Sequence, residues 1–329
     1  MPDQTRTDRS FGISMRNALF LILMGTLFGA LTACVSMEPR KSADALRTVG
    51  YLPYYRMDKI QPAWFEHVDD LIFYNVKPKA SGDLDTSNFS RDSLSLIQSY
   101  AKNTRMRILI TVGGWEECGG FASMATDEKR RKEFIRQLLV FCREHDLDGV
   151  DFDWEFPNGH AEEAAYSALL TETKRAFRPH RMLVTVAVGH LQRLSPEAYL
   201  AVDHVHLMSY DHGTVLPTYE AGLADIQRHL SYGVPREKLY FGVPFFGRSR
   251  KDHNDTISYA DLVRKYSPSP DSDHAGDYYF NGIATLRRKV RYAQEQGLAG
   301  IMIWELGQDA QERTSLLRAI SETILSPRQ

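Results

Sequence analysis

Cysteine is scarce in this chain: 329 residues carry three, Cys34, Cys118 and Cys142. That excludes a scaffold built on disulfides. Cys118 falls in a loop just after a predicted strand, and Cys142 lies near the far end of the helix that follows. That helix separates the two by roughly 20 Å, beyond disulfide reach, so both are expected to be free. An excess of one charge is also lacking. Lys and Arg number 40 against 42 Asp and Glu, a net charge of −2, which leaves no electrostatic case for nucleic acid. No Gly-rich phosphate turn follows an early strand; Gly113-Gly114 is too short a signal for a doubly wound nucleotide-binding sheet. The apolar run from Ala18 to Leu31 is about 14 residues, and a spanning helix needs about 20. Aromatics are plentiful, with 16 Tyr and 4 Trp. Rings of this kind stack on sugar faces, though they also fill cores.

The N-terminal region reads as a targeting segment. Arg6, Arg9 and Arg16 precede the apolar run, which ends in Leu31-Thr32-Ala33-Cys34. That tetrapeptide resembles a bacterial lipobox, whose cysteine is lipidated and becomes the first mature residue. The division expected is a lipoprotein signal peptide at 1–33, a polar tether at 34–46 and a catalytic domain at 47–327. Met15-Arg16 offers an alternative start. Val35 follows the cysteine in place of an Asp that would favour inner-membrane retention, so an exported lipoprotein of the outer membrane is expected, facing periplasm or exterior.

From Thr48 onward short apolar strands alternate with amphipathic helices. The strands are predicted at 49–53, 71–76, 107–112, 149–156, 182–188, 204–210, 240–244 and 300–305. Helices are predicted at 87–102, 127–145, 162–177, 196–201, 222–232, 283–296 and 309–325, with Ser195 as a cap before Pro196. Strict alternation means parallel pairing, and eight such units match a (β/α)8 TIM barrel, usually about 250 residues. The segment after the seventh strand, 249–281, is too short for a large insertion domain before the seventh helix. A barrel sets catalytic groups at the carboxyl ends of its strands. Glu155, Tyr210-Asp211, Gly113-Gly114-Trp115 and Trp304 all fall there, and Arg248 follows the seventh strand.

The densest signal is the fourth strand, Asp148-Gly-Val-Asp151-Phe-Asp153-Trp-Glu155. Period-two alternation puts Asp151, Asp153 and Glu155 on one face and Val150, Phe152, Trp154 and Phe156 on the other. Folding asks for no such row of acids: like charges repel, and ionised carboxylates are costly to bury. Three acids on one face cannot all ionise cheaply, so at least one holds a proton near neutrality and they titrate as a set. Asp148 sits before Gly149 at the amino end and is expected to be structural. A cluster of this kind can also hold a hard cation such as magnesium. His204-x-His206 has the spacing of a zinc pair, but His206 lies four residues before Tyr210, about 13 Å deeper, and reads as structural. The stretch 267–277 reads as a solvated loop.

These residues together resemble glycoside hydrolase family 18, the chitinase family, over essentially all of the chain from Gly50. Asp148-x-x-Asp151-x-Asp153-x-Glu155 matches the strand-four signature, and Met208-x-Tyr210-Asp211 the strand-six motif. Thr111-Val-Gly113-Gly114-Trp115 matches the strand-three motif with Thr in place of Ser. Trp304 matches the tryptophan that floors the site. The resemblance implies substrate-assisted hydrolysis, with the sugar's own 2-acetamido group as nucleophile. Glu155 would be the general acid and then base; Asp153 would bind the acetamido N–H; Asp151 would share a proton with Asp153. Tyr210 would steer the acetamido oxygen, Asp211 would contact the distorted sugar, and Trp304 would stack beneath it. Tyr51, Gly114 and Trp115 would line the site, Met208 would shape it, and Arg248 would bind the sugar or hold Asp211. Thr111 keeps a hydroxyl for the acid cluster. No cofactor or metal ion is required, and a monomer is expected.

The implied substrate is chitin or soluble chito-oligosaccharide. An N-glycan endo-β-N-acetylglucosaminidase and a peptidoglycan glucosaminidase would use the same machinery. A carbohydrate-binding lectin on this fold would be expected to lack the acid, and Glu155 is present. Without a large insertion domain the groove should be shallow and the action non-processive.

Overall fold

The computed structural model describes residues 46–326 apart from 211 and 213–215. The expected signal peptide, the lipobox-like tetrapeptide with Cys34, the expected tether up to residue 45 and the site candidate Asp211 lie outside the described residues.

All eight predicted strands form. They are β1 (Arg47–Pro53), β2 (Asp70–Pro78), β3 (Arg107–Gly113), β4 (Gly149–Asp153), β5 (Leu183–Gly189), β6 (His204–Met208), β7 (Leu239–Pro244) and β8 (Gly300–Trp304). Each pairs in parallel with its sequence neighbour, and β8 pairs with β1 to close the barrel. The longer helices on the outside are α1 (Arg91–Ala101), α2 (Glu128–Glu144), α3 (Gly159–Phe177), α4 (Pro196–Ala201), α5 (Tyr219–Ser231), α6 (Ile283–Gln296) and α7 (Leu316–Leu325). Local chemistry fixes their starts: Ser90, Asp127, Ser195, Thr218 and Ser315 each accept a backbone N–H as N-caps.

Period-two alternation divides the core. One face of the strands packs on the helices, where Val150, Phe152 and Trp154 join Phe121, Tyr166 and Leu169. The other fills the barrel with Val49, Tyr51, Ile72, Leu109, Ala187, Met208, Tyr240 and Met302. At the amino end, Asp70 accepts from Arg47 and Arg107, one arginine from each neighbouring strand. Asp148 accepts the Ile108 backbone N–H at 2.8 Å, the structural role expected of it.

Three segments differ from the sequence expectation. β4 stops at Asp153, so Glu155 stands in a bend beyond the strand. Trp154 keeps the alternation, stacked on Phe121 at 4.9 Å, but Phe156 turns out to be 50% exposed. The predicted helix at 309–325 is a 3-10 turn (Glu312–Thr314) followed by α7, because Asp309 accepts the Leu316 and Leu317 N–H groups and starts the helix there. After β7 the chain builds a small antiparallel sheet from Phe246–Ser249, Thr256–Ser258, His274–Ala275 and Tyr278–Tyr279, with a helix at Tyr259–Tyr266. No large insertion domain is present among the described residues, and part of the supposed loop 267–277 is strand.

Candidate active site

Asp151 and Asp153 point into the barrel from β4 and are buried. Asp151 is the deeper. Its Oδ2 accepts from the Tyr51 hydroxyl at 2.7 Å, and its Oδ1 accepts from Thr185 Oγ1 and lies 3.0 Å from His206 Nδ1. Asp153 is different. Its Oδ1 is buried and has no hydrogen-bond partner among the described residues. Burial, then the charges of Glu155 and Asp151, push Asp153 well above the usual carboxylate range. Its protonated form is therefore favoured.

Glu155 is half-buried one residue past Trp154. Its backbone N–H donates to Cys118 Sγ at 3.2 Å. Cys118 also reaches the carbonyl oxygens of Gly114 and Asp153 at 3.2 and 3.3 Å, which ties the loop after β3 to the end of β4. Burial pushes the Cys118 thiol up to about 12. Gly114 donates its N–H to the Asp153 carbonyl at 2.7 Å with a φ of 101°. A Cβ there would lie 2.3 Å from the Tyr74 ring, so only glycine fits.

The floor is aromatic. Trp304, at the end of β8, packs against Tyr51 and Tyr74 with ring centroids 5.6 and 5.5 Å away. Burial first, then the nearby acids, raise the Tyr51 and Tyr74 phenols, so both remain protonated donors. Tyr210 lies in the turn after β6, buried, with its hydroxyl 3.9 Å from Met302 Sδ. Met208 closes β6 in the barrel interior. Trp115 stands on the rim, 67% exposed, and Arg248 sits on the first strand of the small sheet. A cleft of about 1000 Å³ opens beside the acid, from Phe156 and Pro157 along residues 189–196.

A buried acid pair, a third acid at the strand end and an aromatic floor match a known constellation. The model for Glycosyl hydrolases family 18 covers residues 47–309. The chain belongs to glycoside hydrolase family 18. It is accordingly a glycoside hydrolase. It is 25% identical to chitotriosidase-1 of Mus musculus over an alignment covering 84% of this chain and 70% of that protein. It spans 14% and 35% of two probable chitinases of Drosophila melanogaster. The GH18 chitinase ChiB from the chitin utilization locus of Flavobacterium johnsoniae superimposes with a TM-score of 0.77 at 27% identity, covering 85% of this chain and 94% of that one. A mutant GH18 chitinase of Cycas revoluta in complex with (GlcNAc)4 has the same fold, with a TM-score of 0.74 at 22% identity and 84% and 99% coverage.

Within this family 18 barrel, two sequence expectations need correction. Thr111 was expected to offer its hydroxyl to the acids, but Thr111 Oγ1 is buried without a partner among the described residues. Thr185, register partner of Asp151 on β5, makes that bond instead. His206 was expected to lie well below the chemistry, yet it touches Asp151. Strands in a barrel tilt and stagger, so depth counted along one strand does not transfer to another. The signal was available: His206 shares the parity of Met208 and Tyr210 and must face inward. Cys118 left no comparable signal.

Proposed function

We propose that the protein is a retaining hydrolase that cleaves β-1,4 bonds after N-acetylglucosamine in chitin or chito-oligosaccharides, with the 2-acetamido group as nucleophile. The observation that carries this reading is Asp153 Oδ1, buried beside two other acids and lacking a partner. A buried acceptor left unsatisfied costs about 1–3 kcal/mol, and an acetamido N–H arriving from the barrel mouth would recover it. The names of the chitinase relatives support the substrate class.

The roles follow from position. Glu155 gives its proton to the glycosidic oxygen as the C1–O bond breaks. The acetamido oxygen attacks C1, forming an oxazolinium ion, while Asp153 accepts a hydrogen bond from the acetamido N–H and stabilises the ion. Tyr210 donates to the acetamido oxygen and aligns it. Glu155, now a carboxylate, takes a proton from water as that water attacks C1 and the C1–O bond to the acetamido oxygen breaks, which regenerates the 2-acetamido group and restores the starting configuration. Trp304 supports the sugar's apolar face, with Tyr51, Gly114, Met208 and Trp115 around it. Asp211 would contact the distorted sugar or its leaving oxygen, and Arg248 would bind the sugar or hold Asp211.

The lack of a large insertion domain after β7 among the described residues supports non-processive cutting of short chains. Export as an outer-membrane lipoprotein through Cys34 is supported by the basic residues, the apolar run and the Leu31-Thr32-Ala33-Cys34 sequence. Loss of palmitate labelling in Cys34→Ala tests the anchor. Product analysis on chitohexaose, a high-mannose glycopeptide and purified peptidoglycan in parallel tests the substrate. Turnover confined to either of the last two would overturn the chitin reading, and mainly disaccharide from crystalline chitin would overturn non-processive action.

A further inference from the structure

His206 takes no part in the reaction as written above, yet it is buried in the barrel interior against the deepest acid. Its Nδ1 lies 3.0 Å from Asp151 Oδ1 and 3.2 Å from the Tyr51 hydroxyl. Tyr51 commits its proton to Asp151 Oδ2 at 2.7 Å, and Thr185 commits its own to Oδ1. A bare Nδ1 facing Oδ1 would set two lone pairs against each other, so these partners assign the proton to Nδ1. Three donors from β1, β5 and β6 thus converge on one carboxylate.

The other groups around the imidazole do not compete for it. Tyr240 on β7 meets it edge-on, with ring centroids 5.1 Å apart, and His204 on the same strand is 6.4 Å away. Ala187 is its register partner on β5. His206 Nε2 has no hydrogen-bond partner among the described residues. Among the described residues, Asp151 is the acid that His206 Nδ1 faces, and Tyr51 and Thr185 both donate to it. Hydrogen bonds to a carboxylate favour its charged form. Asp153, two residues up the strand, has no donor on its Oδ1.

We propose that His206 is a positioning residue for the catalytic acids: its Nδ1–H joins the Tyr51 and Thr185 hydroxyls in fixing the Asp151 carboxylate, which leaves Asp153 to keep its proton beside Glu155. This rests on the reading of Asp153 and Glu155 as catalytic. Without that N–H, the network beneath Asp153 loses a donor and Asp153 gives up its proton more readily next to Glu155. A second negative charge there is then disfavoured, so Glu155 keeps its own proton to higher pH.

The test is the pH profile of chitohexaose hydrolysis by His206→Leu and His206→Asn. Asn carries an amide N–H near the position of Nδ1. His206→Leu should lose about tenfold to 100-fold in kcat with KM within about threefold, and its basic limb should move to higher pH. His206→Asn should recover most of the rate and the original limb. A folded His206→Leu with the original rate and limb overturns the proposal, as does a His206→Asn as impaired as His206→Leu. Thr185→Val removes a second donor and must move the same limb the same way; a folded Thr185→Val with an unmoved limb overturns the proposal even if His206→Leu does not fold. Glu155→Gln measured alongside separates the failures: if it retains turnover, the assignment of the acids itself falls.

Discussion

Cys118 Sγ accepts the backbone N–H of Glu155 at 3.2 Å, so a residue from the loop after β3 holds the acid that follows β4. The thiol also reaches the Asp153 carbonyl, bracketing Trp154 from both sides. Cys118→Ala leaves the Glu155 N–H without its partner and lets the acid drift. The expected cost is about 1 kcal/mol, read as a roughly fivefold to tenfold fall in kcat with little change in KM. Cys118→Ser should recover part of it. With its thiol pushed up to about 12, native Cys118 should not react with Ellman's reagent at neutral pH. Rapid labelling, or unchanged kcat in Cys118→Ala, would contradict this role.

Asp153 makes stability depend on pH in a defined direction. Burial, then Glu155 and Asp151, raise its folded-state proton affinity above the unfolded value of about 3.9. Below that value the carboxyl is protonated in both states. As pH rises, the unfolded chain ionises while the folded one stays protonated, so stability falls. Asp153→Asn cannot ionise. Its melting temperature relative to the native protein should therefore climb between pH 4 and pH 8, and parallel melting curves would count against a raised Asp153.

Asp70 has the opposite sign. Burial alone would raise it, but hydrogen bonds and charge from Arg107 and Arg47 outweigh that and hold it below the usual range. Its contribution is present above about pH 4, the unfolded value, and is lost as pH falls through the folded value. Asp70→Asn should cost about 3 kcal/mol at neutral pH, the low end for breaking a buried pair because both arginines are partly in water. Urea unfolding checks this. kcat should not change, since Asp70 sits at the far end of the barrel.

Trp304 packs against Tyr51 and Tyr74 at the end of β8 and remains partly exposed. On the proposed reading Trp304 supports the sugar, so KM of Trp304→Ala for chitohexaose should rise on the order of tenfold. A KM unchanged in a folded variant would remove Trp304 from the site.

The barrel was legible because strand and helix periods alternate cleanly, and the acids because alternation in 149–154 holds all the way to Trp154. It failed at Phe156, where the chain has left the strand and side-chain direction is set by the bend. The small sheet was missed because its strands are only two to four residues long, too short for a period to register. The His206 and Thr185 contacts were missed for another reason. Parity along β6 turns His206 inward, but which acid it meets depends on the stagger between strands, which one strand's pattern does not carry.

The central claim is that Glu155 is the proton donor for a substrate that supplies its own nucleophile. Turnover of chitohexaose by Glu155→Gln, with oligosaccharide binding followed by calorimetry in the same preparation, tests it most directly. The account expects turnover to fall by at least about 1000-fold while binding persists. Turnover within about tenfold of the native enzyme would contradict it.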